Sequence, residues 1–261
     1  MKWSELAPII EAARAQLPSD PIVEAPAAAA DPLAERTTAA QLRAIASAGG
    51  QAMVYRAEAA RLVARGDPDA AAIELARVLD LARSLATWGV PSAAEASARM
   101  IAIVLDAVEQ PRAAPAPGAM SPAARSVLRD ALAGLDSTDP AGRMRAMVET
   151  HADRSRALAE HAAGADGPTV VRSIASRYRR GVVRGSPADI QRSIEEASAF
   201  AMALADTWDK PARSAVTQRL RERTQADGSG VLTILLGEAP DACDADAQLR
   251  ARIATAIEGL R

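Results

Sequence analysis

Apolar residues recur along this chain at helical spacing. Leu6, Ile10, Ala13 and Leu17 step by three or four residues; so do Ala52, Tyr55, Ala59 and Val63, and then Ala71, Leu75, Val78, Ala82 and Leu85. Each set draws one stripe along a helix, and such a stripe must be buried against a neighbour. The second half repeats the pattern with Ala124, Leu128, Ala131 and Leu135, with Val171, Ile174, Tyr178 and Val182, and with Ile190, Ile194, Ala197, Ala201 and Leu204.

Short markers return in step with the stripes. Leu17 with Ser19-Asp20-Pro21 reappears as Leu135 with Ser137 and Asp139-Pro140. Val63-Ala64-Arg65-Gly66-Asp67-Pro68 reappears as Val182-Val183-Arg184-Gly185-Ser186-Pro187. Thr87-Trp88-Gly89-Val90-Pro91 reappears as Thr207-Trp208-Asp209-Lys210-Pro211. The offset is 118 residues at Leu17, 119 at Gly66 and 120 at Trp88, the drift that small loop insertions produce. A repeat scan therefore predicts an all-α chain, a helical-hairpin bundle built by tandem duplication of a unit of about 119 residues. Copy one covers 1–117, copy two 118–230, and 231–261 is a C-terminal apolar segment with a capping helix.

Punctuation agrees with this division. Pro111, Pro115, Pro117, Gly118 and Pro122 cannot continue a helix and separate the copies. A second irregular stretch runs from Pro18 to Pro32, where copy two is expected to place a helix over roughly 141–163. Gly66 closes one helix, Asp67 caps the next and Pro68 occupies its first turn, with Ser186 and Pro187 in the same roles. Two runs, Met100 to Leu105 and Val231 to Leu236, are apolar all round and are expected in the core or at an interface between the copies, as equivalent helices of the two, with an exposed partner or dimer surface as the alternative.

Composition sharpens the helical reading. Nearly half of the 261 residues are hydrophobic and a quarter charged, whereas only 2% are aromatic. Alanine, leucine, arginine and glutamate abound, which favours helices over sheets. Lysine occurs only at Lys2 and Lys210 and asparagine is absent, the signature of a GC-rich genome. A net charge of −2 argues against a dedicated nucleic-acid binder. No apolar run reaches the length of a membrane span, and the Met1–Leu6 segment lacks the apolar core of a signal peptide. The chain as given reads as cytoplasmic, with the soluble extracytoplasmic part of a membrane-anchored protein as the alternative.

Chemistry-bearing residues are sparse. The one cysteine, Cys243, lies between Asp241 and Asp244, which disfavour a thiolate. Of the two histidines, His151 falls on the apolar stripe of its helix and His161 beside it. Neither has neighbours spaced as metal ligands. Asp241, Asp244 and Asp246 precede a helix expected over 247–260 and read as N-terminal capping charges. Arg172, Arg177, Arg179, Arg180 and Arg184 cover the polar side of the Val171–Val182 stripe, and Arg177, Arg180 and Arg184 are the candidates for contact with an anionic partner. Trp88 and Trp208, each three residues before a proline, pin helix ends or anchor an interface.

The hairpin from Tyr55 to Trp88, with its Gly66-Asp67-Pro68-Asp69 turn and Ala70-Ala71 opening the second helix, resembles a tetratricopeptide-type helical hairpin. Gly185-Ser186-Pro187-Ala188 stands at the equivalent place of copy two. The whole unit also resembles Ala/Arg-rich helical domains that follow a membrane helix in GC-rich bacteria. Both resemblances imply a helical scaffold presenting a groove to a partner. Arg156 and His161, four residues between them, resemble the Arg-x4-His pattern of the HEPN ribonuclease family, which implies acid–base and phosphate roles for the two. The leading expectation is a non-enzymatic scaffold or protein–protein interaction module, with a protein partner or homo-oligomer, no cofactor and no metal. A HEPN-like, RNA-directed ribonuclease or anion-binding helical protein is the alternative.

Overall fold

The computed structural model describes residues 3–18, 21–24, 38–109, 117–162 and 186–261. Among these the chain is all-α. Its helices are α1 Trp3–Ala15, α2 Ala39–Ala64, α3 Pro68–Ala86, α4 Pro91–Glu109, α5 Pro122–Ala133, α6 Arg143–Ala162, α7 Pro187–Thr207, α8 Arg213–Ala226, α9 Val231–Leu236 and α10 Ala239–Gly259. A short 3-10 turn, Pro117–Ala119, leads into α5.

The starts of these helices follow from their capping residues. Thr38 Oγ1 accepts the Gln41 N–H at 3.1 Å while the Gln41 side chain accepts the Thr38 N–H at 2.8 Å, a reciprocal box. Asp67 accepts from Ala70 N–H at 3.0 Å ahead of Pro68, and Ser186 accepts from Asp189 N–H at 3.3 Å ahead of Pro187. Gly66 ends the α2–α3 turn at φ 81°, a left-handed backbone that side-chain-bearing residues adopt only with strain.

Two cores result. In the first, α2 and α3 form the most extensively packed pair, joined by α4 and α5. The α3 stripe Ala71, Leu75, Val78, Ala82 and Leu85 is buried without exception. Its alanines, facing Ala48, Ala52 and Ala59 of α2, let the two backbones approach closely. Each buried leucine contributes about 2 kcal/mol of transfer free energy. The second core gathers α6, α7, α8 and α9, with Ile190, Ile194, Ala197, Ala201 and Leu204 of α7 buried in turn. Helix α5, with which the second sequence copy begins, packs on α3 and belongs to the first core.

Helix α10 ties the two together. It has 21 residues and so spans about 30 Å. Its first turns bring Ala239 and Cys243 to the second core, while Leu249, Ile253, Ala256 and Leu260 enter the first. This helix starts eight residues before the expected 247. Asp244 and Asp246 therefore lie inside it rather than ahead of it, and only Asp241 occupies the first turn. The Ala239-Pro240 pair explains the early start, because proline is favoured in a first turn where its missing N–H has no partner to lose.

Both apolar runs are core. Met100, Ile101, Val104 and Leu105 are buried in α4, and Val231, Leu232 and Ile234 to Leu236 make up most of the short α9. They differ in setting. Helix α4 follows Pro91 directly, whereas the helix after Pro211 is the polar α8, which buries only Thr217 and Leu220.

Helix α1 is held differently from the rest. Its stripe residues Leu6, Ile10, Ala13 and Leu17 are half-buried, and polar contacts fasten it. Arg14 pairs with Glu74 at 2.8 Å and lies over the Tyr55 ring, Glu11 pairs with Arg61 at 2.7 Å, and the Tyr55 hydroxyl donates to Pro18 O at 2.9 Å.

Candidate functional site: a groove where the two cores meet

The surface is concave where α4 and α10 run side by side past α6 and the α9–α10 corner. A cavity of about 430 Å³ opens there, floored by Ala94 of α4, Ala146 and Met147 of α6, and Ile234, Leu235 and Ala242 of the corner. Beyond the Glu95–Arg143 ion pair (3.2 Å) the depression continues as a second cavity of about 240 Å³ between α4 and α10. Glu95, Arg143 and Ala245 line both, so the two form one groove.

Small residues create the hollow. Ala94, Ala98 and Ala102 stand four apart on one face of α4, opposite Ala242 and Ala245 of α10. Charged residues make the rim. Of the lining residues, Arg154 donates to Ile234 O at 3.4 Å, Asp241 is met by Arg221 of α8 at 3.5 Å, and Arg252 pairs with Asp106 and Glu109 of α4, outside the groove, at 2.7 and 2.8 Å. Thr150 lines the larger cavity, is 8% exposed, and its Oγ1 has no hydrogen-bond partner.

Beneath the groove the two cores are joined by a buried polar set. Trp208, at the end of α7, is buried and donates its Nε1–H to Asp246 of α10 at 2.9 Å. Arg250 pairs with the same carboxylate at 3.0 Å and donates to Trp208 O at 2.9 Å. Asp246 Oδ1 has no partner. Burial, then the nearby Asp139, lifts the Asp246 carboxyl to about 6, against the pull of Arg250. Asp139 accepts the backbone N–H groups of Met144 and Arg145 at 3.1 and 3.0 Å, capping α6, and burial raises its carboxyl too. Just before α6, Gly142 at φ 75° lies so close to α3 that a Cβ there would drive into the Ala86 carbonyl.

His151 is buried in α6. Its Nε2 lies 3.2 Å from Ser155 Oγ and 3.3 Å from Ser198 Oγ, while Nδ1 has no partner. Burial and then Arg154 push the imidazole down to about 4, so it is neutral at physiological pH. Among the described residues no carboxylate is bonded to the ring, the place an orienting acid takes in a catalytic triad. Cys243 is buried and its thiol is pushed up to about 12, which leaves no thiolate to act as nucleophile.

The residues singled out in the sequence are dispersed. Trp208 lies inside the second core and pins α7 to α10; its burial removes it as a surface anchor. Trp88 is half-buried, and its Nε1–H donates to Val23 O at 3.3 Å, holding the 21–24 segment against the end of α3 with help from Ser84. Arg156 is exposed on α6. The His161 side chain and Arg177, Arg180 and Arg184 lie outside the described residues. Among the described residues no three His, Cys, Asp or Glu side chains are grouped to hold a metal ion, and no helix is long and apolar enough to cross a membrane.

Glu95, Arg99, Arg143 and Ala245 carry the groove, and sequence reading passed over them. Their one signal was the Ala94-Ala98-Ala102 spacing, which does not stand out where roughly a quarter of the residues are alanine. No protein-family model matches the chain, and neither a curated protein nor a solved structure matches it significantly.

Proposed function

We propose that this chain is a non-enzymatic helical interaction module whose partner-binding surface is the α4–α10 groove. The observation that carries this reading is the groove itself: an apolar, small-residue floor with a charged rim, placed where the two cores meet. Its larger cavity falls within the size range of built binding sites. The internal polar groups support the same reading, since His151, Cys243 and Asp246 are engaged in packing and hydrogen bonds inside the fold. The tandem duplication belongs to the proposal as well. What supports it is that α3 and α7 bury matching stripes and that each leads into a tryptophan that fastens a helix end.

Photo-crosslinking tests the reading. Gln248 is exposed and lines the groove, whereas Met53 is exposed on α2, away from it. A benzophenone amino acid at Gln248, in cells that express the chain naturally, is expected to give a discrete adduct. The same label at Met53 is expected to give none, and Ala245→Trp, which fills the groove, to abolish the Gln248 adduct. Equal labelling from both positions, or an adduct that survives Ala245→Trp, contradicts the proposal.

A further inference from the structure

We infer that α1 is a strap that lifts off α2 and α3 while both cores stay folded, unmasking a face of paired charges around Tyr55. None of the residues involved lines the groove.

The strap is weak as a helix and thinly packed. It has 13 residues with Pro8 inside, and an isolated helix of that length is marginal even without a proline. Pro8 removes a backbone hydrogen bond and crowds the preceding turn. Of the stripe residues Leu6, Ile10, Ala13 and Leu17, Leu17 alone packs against the first core, and Ile9 is exposed. The α3 stripe, by contrast, is wholly buried. Little apolar area therefore returns to water when α1 leaves, and little hydrophobic free energy opposes the step.

What holds the strap is charge. Glu11 reaches Arg61 at 2.7 Å and Arg65 at 3.1 Å, and Arg14 reaches Glu74 at 2.8 Å from its place over the Tyr55 ring. Arg61 Nη1 makes no hydrogen bond, so its pairing with Glu11 is one of proximity alone. Glu11 and Arg65 are exposed, and pairs open to water contribute little and weaken with salt.

The face beneath is complete without the strap. Arg61 keeps both of its bonds to Glu58 when Glu11 departs, and Glu74 keeps Arg77 when Arg14 departs. Neither charge is orphaned, and an orphaned charge is what makes most buried ion pairs costly to break. The chief loss falls on Tyr55, whose ring sheds Arg14 and whose hydroxyl exchanges Pro18 O for water.

The strap also stays attached. Beyond Pro18 the chain is fastened again at Val23, whose N–H donates to Ser84 Oγ at 3.0 Å. The Val23 carbonyl accepts from the Ser84 hydroxyl at 2.7 Å and from Trp88 Nε1 at 3.3 Å. Closure is thus intramolecular, at the high effective concentration of a short tether. Closed, the fold hides Tyr55 and the Glu58–Arg61 and Glu74–Arg77 pairs; open, it displays them together.

Native-state hydrogen exchange and nitration of the full chain test the strap together. Amides of α1 are expected to exchange at least about 100-fold faster than those of α3, whose exchange requires the first core to open. Their acceleration by low urea should be less than about a third of that of α3, because lifting a strap exposes little surface. Raising NaCl from about 0.05 to 1 M should speed α1 about threefold. Tetranitromethane should nitrate Tyr55 in the native chain. Arg14→Gln, at a partly exposed site, should speed α1 exchange and Tyr55 nitration by the same factor, about fivefold. Equal rates and equal urea slopes for α1 and α3 overturn the inference, because α1 then leaves only when the core unfolds. Fast α1 exchange with Tyr55 nitrated no faster than α3 opens also overturns it, because the helix then frays in place.

Discussion

Replacing Asp246 by Asn removes a charge from the junction of the two cores while leaving an oxygen to accept the Trp208 Nε1–H. The consequence is legible in the pH dependence of stability. The folded chain raises this carboxyl from its ordinary 3.8 to about 6, so between those values the folded state holds a proton that the unfolded state has released. Stability from this group is complete at the acid end and falls as pH rises from about 4 to 6. Two pKa units at 1.36 kcal/mol each make about 3 kcal/mol.

His151 acts the other way. Its pKa drops from 6.5 to about 4, so the unfolded state takes up the proton first and stability falls as pH falls through that window, again by about 3 kcal/mol. The two contributions have opposite slopes. Relative to the native chain, Asp246→Asn should gain about 3 kcal/mol of stability from pH 4 to 6.5. Relative to the native chain, His151→Gln should lose stability over the same range. Urea unfolding at several pH values, with unchanged m-values, measures both. Carboxylates remote from Asp246 and shared by native chain and variant drop out of the difference between their profiles, whereas Asp139, which is coupled to Asp246, adds to it. A native-minus-Asp246→Asn difference that stays flat to within about 1 kcal/mol between pH 4 and 6.5 refutes the reasoning.

The two sequence-matched tryptophans should differ in worth: Trp208→Ala, which leaves a cavity in the second core and removes the indole donor to Asp246, should cost about 4 kcal/mol in urea unfolding, and the half-buried Trp88→Ala clearly less. Gly142→Ala combines a left-handed backbone with a clash against Ala86, so it should cost more than about 2 kcal/mol, whereas Gly66→Ala, open around its Cα, should show only the strain of its φ, about 1 kcal/mol. Purified chain should leave single-stranded RNA intact under gel assay; cleavage that vanishes in Arg156→Ala and in His161→Ala would establish the ribonuclease reading instead.

The fold class and most of the helix faces were legible because burial follows periodicity. Every residue of the α3 and α7 stripes is buried, and His151, read on the apolar side of its helix, is buried with them. Capping at Asp67 and Ser186 was equally plain, since those bonds are local. Long-range partnership was not. Asp246 looked like a capping charge because its neighbours are acidic, yet it is the buried acceptor of a tryptophan 38 residues earlier. Nothing in the order of residues shows that α10 is shared between two cores. The groove was hidden for the same reason: Ala94, Arg143 and Ala245 lie far apart in the chain and become one surface only through packing, and small residues mark a hollow only once their neighbours are known.

Hydrogen exchange of the full chain, alone and with the partner that the Gln248 label captures, tests the groove most directly. The account predicts slowed exchange over 91–102 of α4 and 239–252 of α10, with α2 and the exposed side of α7 unchanged. Protection confined to other helices, or spread evenly over the chain, contradicts it.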